Sequence, residues 1–125
     1  MVTADKFRRL ALAIPGALES EHMGHPDFRI AGRIFATLHY PDDEWGMVKL
    51  TPEQQQSLVQ EMPNVFSPCS GVWGQRGATS VHLPSVTAKT LRAALEAAWR
   101  NVLPPQTRPR PRPASAKRPK RRPAL

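Results

Sequence analysis

The chain has 125 residues, with 18 Lys plus Arg against 10 Asp plus Glu, a formal charge of +8, and a single cysteine, Cys69. That length supports one hydrophobic core and excludes a pair of ordinary domains, while a lone cysteine excludes an internal disulfide and fits a reducing compartment. The opening MVTADKFRR carries neither signal-peptide nor membrane-span character, and the longest apolar run beside it is LALAI, so the expectation is a soluble, cytoplasmic protein.

In TADKFRRLALAI the residues Ala4, Phe7, Leu10, Ala11 and Ile14 recur at spacings of three and four, which predicts a helix with Thr3 as its N-cap. Pro15 and Gly16 stop it. Short runs separated by turn residues then predict a meander of antiparallel strands over Ala17 to His22, Phe28 to Ala31, Arg33 to Tyr40 and Met47 to Leu50. Gly32 sits where a tight hairpin needs a positive φ. In the third strand, simple alternation puts Ile34, Ala36 and Leu38 on one face and Phe35, Thr37 and His39 on the other.

The second helix has a complete start signal, with Thr51 as N-cap, Pro52 at the first position and Gln54 three residues after the cap. Leu58, Val59 and Met62 supply its buried stripe, and Pro63 ends it. VFSPCSGVWGQRGATSVHL is expected to be extended, with Gly71, Gly74 and Gly77 at turns or bulges. A last helix runs through TAKTLRAALEAAWRNVL behind Thr87, with Leu91, Ala94, Leu95, Ala98, Trp99, Val102 and Leu103 on its apolar face. Helices at both ends of a mostly antiparallel sheet define an α+β domain over residues 1–103, with the terminal helices packed side by side on the sheet.

Residues 1–103 contain 10 cations and 10 anions, so the whole excess charge lies in residues 104–125, on Arg108, Arg110, Arg112, Lys117, Arg118, Lys120, Arg121 and Arg122. This segment also carries seven prolines and no aromatic residue. It cannot bury enough apolar surface to offset the entropy of ordering, and the expectation is a disordered tail with polyproline II character. In that geometry the arginines of RPRPRP stand about 6 Å apart along the axis, suited to following a phosphate backbone without reading bases.

The succession HMGHPDFRIAGRIFATL, VKLTPEQQQSLVQEMPNVFSP, GVWGQRGATSVHL and TLRAALEAAWRNV closely resembles the MmcQ/YjbR family, in the same order and spacing over most of residues 4–103. The resemblance implies a frataxin-like (CyaY-like) α+β fold with two projecting hairpins, a double wing, and a DNA-binding role. The tail is not part of it. Ala78 stands where many relatives carry Trp after the loop glycine, which removes an aromatic that stacking would use.

ESEHMGHPDF gathers Glu19, Glu21, His22, His25 and Asp27 within nine residues, carboxylates and imidazoles of the kind that bind zinc or iron. The spacing matches no specific metal motif, and hydrogen bonds tying a turn at an edge strand are the plainer role; His22, His25 and Asp27 are weak metal candidates and no cofactor is expected. Cys69 in PCSG has no base beside it in sequence and GXSXG is absent, so no enzyme is expected. For nucleic acid, Arg29, Arg33, Lys49 and Arg76 lie on or near the hairpins, where they either contact phosphates or pair with Asp42, Asp43 or Glu44. Trp45 and Trp73 either stack on bases or pack in turns. The expectation is thus a monomeric, non-enzymatic protein that binds nucleic acid, DNA by the resemblance, mainly and nonspecifically through its tail, with no membrane partner. The alternative is a metal-binding, small-ligand or protein-interaction module.

Overall fold

Thr3 is extended and its hydroxyl accepts a hydrogen bond from the Lys6 N–H, which caps α1 (Ala4–Leu12) as its residue type predicts. The computed structural model describes residues 1–103; the tail expected to be disordered lies outside the described residues. After α1 come β1 (Leu18–His22), β2 (His25–Ile30), β3 (Arg33–Leu38), β4 (Trp45–Lys49), α2 (Pro52–Glu61), β5 (Phe66–Pro68), α3 (Gly71–Gln75), β6 (Ala78–His82) and α4 (Ala88–Val102). The strands form one antiparallel sheet in the order β1-β2-β3-β4-β6-β5.

Two tight turns build its first half. Ala31 and Gly32 have φ of 51° and 78°, and Met23 and Gly24 have 51° and 81°, the paired positive φ values that match the twist of a two-residue hairpin. The second of these turns was not expected, and it lets β2 begin at His25 instead of Phe28.

The face assignment in β3 is corrected by a bulge. Phe28 pairs with Ala36 and Arg29 with Ile34, which leaves Phe35 as an extra residue. The bulge turns Phe35 to the same side as Ala36 and Leu38, all three wholly buried, and sends Ile34 to the opposite side with Arg29 and Thr37. His39 departs from the strand with a φ of 60°.

Thr51 and Gln54 form the reciprocal capping box, at 3.1 Å and 2.9 Å. Leu58, Val59 and Met62 pack against the core but remain half-buried. Between β5 and β6 the expected turns are replaced by the five-residue helix α3. The α4 face is as predicted, with Leu91, Ala94, Leu95 and Ala98 buried behind the Thr87 cap.

α1 and α4 pack on each other and on β3, α4 reaches β4, and α2 rests on β5. The main core between sheet and helices contains Phe7, Phe28, Phe35, Phe66, Leu91 and Leu95, each 0 or 1 % exposed; burying such a side chain contributes about 1.5–3 kcal/mol. The other sheet face carries a smaller cluster of Met47, Cys69 and Ala78 with Tyr40 against it. Among the described residues no helix is long and apolar enough to cross a membrane.

Candidate functional site

The second sheet face is where polar residues collect. The β1–β2 turn sets His22 opposite His25, and the alternation of β2 puts His25, Asp27 and Arg29 on one side. Asp27 is 0 % exposed, so its carboxylate needs partners, and it has them. Arg29 donates from Nε to Oδ1 at 2.8 Å and from Nη2 to Oδ2 at 3.0 Å, while His22 Nδ1 lies 2.7 Å from Oδ2.

The Arg29 hydrogen bonds hold the Asp27 carboxyl below its ordinary range; burial opposes this, and the His22 contact reinforces it. An ionised Asp27 only accepts, so Nδ1 of His22 carries a proton, and Nε2, on the far side of the ring, has no hydrogen bond among the described residues. Beside this network lies a cavity of about 330 Å³, walled by His22, His25, Tyr40 and Trp73 with Thr37 and Met47 beneath. The Thr37 hydroxyl is buried without a partner among the described residues.

Tyr40 also borders a hollow of about 210 Å³ lined by Trp45, Cys69 and Ser80. Burial pushes the Cys69 thiol up, with a smaller opposing effect from the Ser80 hydroxyl 3.4 Å away. The raised pKa keeps this packed thiol protonated near neutral pH. Trp45 lies against His82, ring centres 4.7 Å apart, whereas Trp73 is 49 % exposed at the cavity mouth.

The predicted cations divide into two groups. Arg29 is committed to Asp27, a partner different from the expected Asp42, Asp43 or Glu44. Asp43 and Glu44 lie at the β3–β4 turn with His39 and His82 as neighbours. Arg33, Lys49 and Arg76 are exposed, and none has a carboxylate within ion-pair distance among the described residues.

These three share one end of the sheet: Arg33 starts β3, Lys49 ends β4 opposite Ala78, and Arg76 comes two residues before Ala78. The last turn of α4 is held there too, because the Asn101 side chain donates to the Lys49 carbonyl at 3.0 Å. The chain therefore leaves the described residues close to Lys49. Arg108, Arg110, Arg112, Lys117, Arg118, Lys120, Arg121 and Arg122 follow outside them.

The metal candidates converge only as the His22–Asp27 pair, with the His25 ring 6.5 Å from that of His22. Among the described residues no three His, Cys, Asp or Glu side chains are grouped to hold a metal ion. Sequence reasoning missed Thr37 and Tyr40, which carry no local signal and reach the cavity only through sheet register.

The YjbR family model matches residues 12–101, most of the chain and nearly all of the folded part. The chain belongs to the YjbR family. The matched region ends at residue 101, before the first of the cations that follow residue 103. No curated protein matches it. The fold is similar to the crystal structure of a Deinococcus radiodurans protein assigned to domain DUF419, with a TM-score of 0.70 and 23 % identity over 82 % of this chain and 79 % of that one.

Proposed function

We propose that this YjbR protein is a non-enzymatic nucleic-acid-binding protein that holds the phosphate backbone through its tail and is oriented by the cationic end of its sheet. One observation carries the reading: all eight excess cations lie beyond residue 103, and the last turn of α4, which precedes them, is held beside Lys49, at the end shared with Arg33 and Arg76. Arg33, Lys49 and Arg76, which make no ion pair among the described residues, have no such partner to lose on meeting phosphate. In this reading the partner is DNA, bound without base preference by a cytoplasmic monomer. The frataxin-like architecture implied by the resemblance belongs to the same proposal, with its hairpins as the wings that approach the duplex.

The test compares the full chain with residues 1–103 on a labelled duplex as salt is varied. The eight tail cations contribute about −7 to the slope of log affinity against log salt, so removing residues 104–125 makes the slope shallower by about that amount, equivalent to roughly 10⁴ in the affinity lost between 50 and 200 mM. Equal affinity and equal slope for the two chains would remove the tail from the mechanism.

A further inference from the structure

The cavity beside Asp27 has no part in backbone binding, and its chemistry is of another kind. Its volume of about 330 Å³ lies at the small end of ligand pockets. None of its lining residues is Lys, Arg, Asp or Glu. Asp27 is fully buried, with its charge answered by Arg29. The lining thus offers no formal charge to an ionic ligand and favours a neutral one.

Four of its seven lining residues, His22, His25, Tyr40 and Trp73, are flat rings, and Met23 and Met47 add flexible apolar surface. The rings of His25 and Tyr40 meet edge to face at 5.8 Å, and those of Tyr40 and Trp73 are tilted at 6.3 Å. Half of Trp73 is exposed, on a helix that no side-chain cap holds. Aromatic faces of this size gain most from another flat ring.

Two polar groups remain for such a ring to meet. The Thr37 hydroxyl, on a residue 2 % exposed, is fully buried and has no partner among the described residues; an unmade hydrogen bond of this kind costs about 1–3 kcal/mol, which an incoming group would recover once the side chain turns its hydroxyl to the cavity. His22 lines the same cavity with Nδ1 fixed on Asp27, so that Nε2 is left as an acceptor.

We propose that this cavity binds a small, neutral, planar heteroaromatic molecule of one or two rings, stacked against Trp73 and Tyr40 and hydrogen-bonded to Thr37 Oγ1 and His22 Nε2. The ligand presents an N–H donor to the imidazole and a donor or acceptor to the hydroxyl.

The full-length chain is titrated with adenine, cytosine, indole and quinoline, and with cyclohexanol as a non-planar control, while NMR shifts are followed. At least one planar compound saturates with a Kd below about 1 mM and moves Trp73, Tyr40 and Thr37, whereas cyclohexanol does not. Thr37→Val and Trp73→Ala each weaken that compound about tenfold or more, and Thr37→Val raises the melting temperature because it removes the unpartnered hydroxyl. Binding does not change between about 50 and 200 mM salt, unlike the association with nucleic acid. The proposal is overturned if no planar compound saturates, if cyclohexanol binds equally well, or if either variant binds as the wild type does.

Discussion

Replacing Arg33, Lys49 and Arg76 together by Gln in the full-length chain separates the sheet end from the tail. All three are exposed and lack a carboxylate partner among the described residues, so the substitutions shift folding stability by no more than about 0.5 kcal/mol each. The effect on binding is large by comparison. Each phosphate contact contributes about 0.9 to the magnitude of the salt slope, so losing three makes it shallower by nearly 3 and weakens binding at 0.1 M salt by roughly 10² to 10³. Fluorescence anisotropy of a labelled duplex across a salt series reads both quantities in one experiment. If the triple variant keeps the wild-type slope, the three cations do not touch phosphate and their placement beside the start of the tail has no bearing on binding.

Two further outcomes concern the fold that carries these sites. Asp27 has a folded-state pKa below its ordinary value of 3.8, so its contribution to stability is present above that value and is lost as pH falls through the lower folded one. Asp27→Asn therefore costs about 2 kcal/mol in urea unfolding at pH 7 and flattens the loss of stability on acidification below about 4; an unchanged acid limb would remove the Arg29 pair from the account. Gly46→Ala puts a Cβ 2.6 Å from Phe7 Cε2, and overpacking of α1 on β4 lowers stability by about 1–3 kcal/mol, read as a shift in urea midpoint.

The helices were legible because capping and periodicity agreed. Thr3, Thr51 and Thr87 each accept the hydrogen bond that their position predicts. α3 gave no such signal: Ser70 makes no side-chain cap, and two of its five residues are glycine. The β1–β2 hairpin was half hidden because Pro26, opposite Glu21, reads as a strand breaker.

The bulge at Phe35 was invisible for a different reason. Simple alternation in RIFATL gives one apolar face of Ile34, Ala36 and Leu38 and a mixed one of Arg33, Phe35 and Thr37, which reads as a regular strand, so nothing in it marks an extra residue. The site follows the same division. His22, His25 and Asp27 stood out as a cluster because they are neighbours in sequence, but Thr37, Tyr40 and Trp73 come from β3, the loop after it and α3. Only strand pairing brings Thr37 opposite Asp27.

A neutral domain can still present a basic surface if its charges are separated by more than the screening length. Here Asp42, Asp43 and Glu44 lie at the β3–β4 turn, while Arg33, Lys49 and Arg76 lie at the other end of the same strands. Strands of five or six residues span about 17–20 Å, roughly twice the ~8 Å Debye length at physiological ionic strength. Those three acids therefore do little to cancel the cations locally, whereas Glu53, in the first turn of α2 and four residues after Lys49, offsets part of the charge at the cationic end. In the proposed reading the tail supplies the net attraction that a neutral domain lacks, and the cationic end of the sheet orients the approach to phosphate. The aromatic cavity, with no Lys, Arg, Asp or Glu in its lining, has no part in that proposed reading and would answer to different ligands.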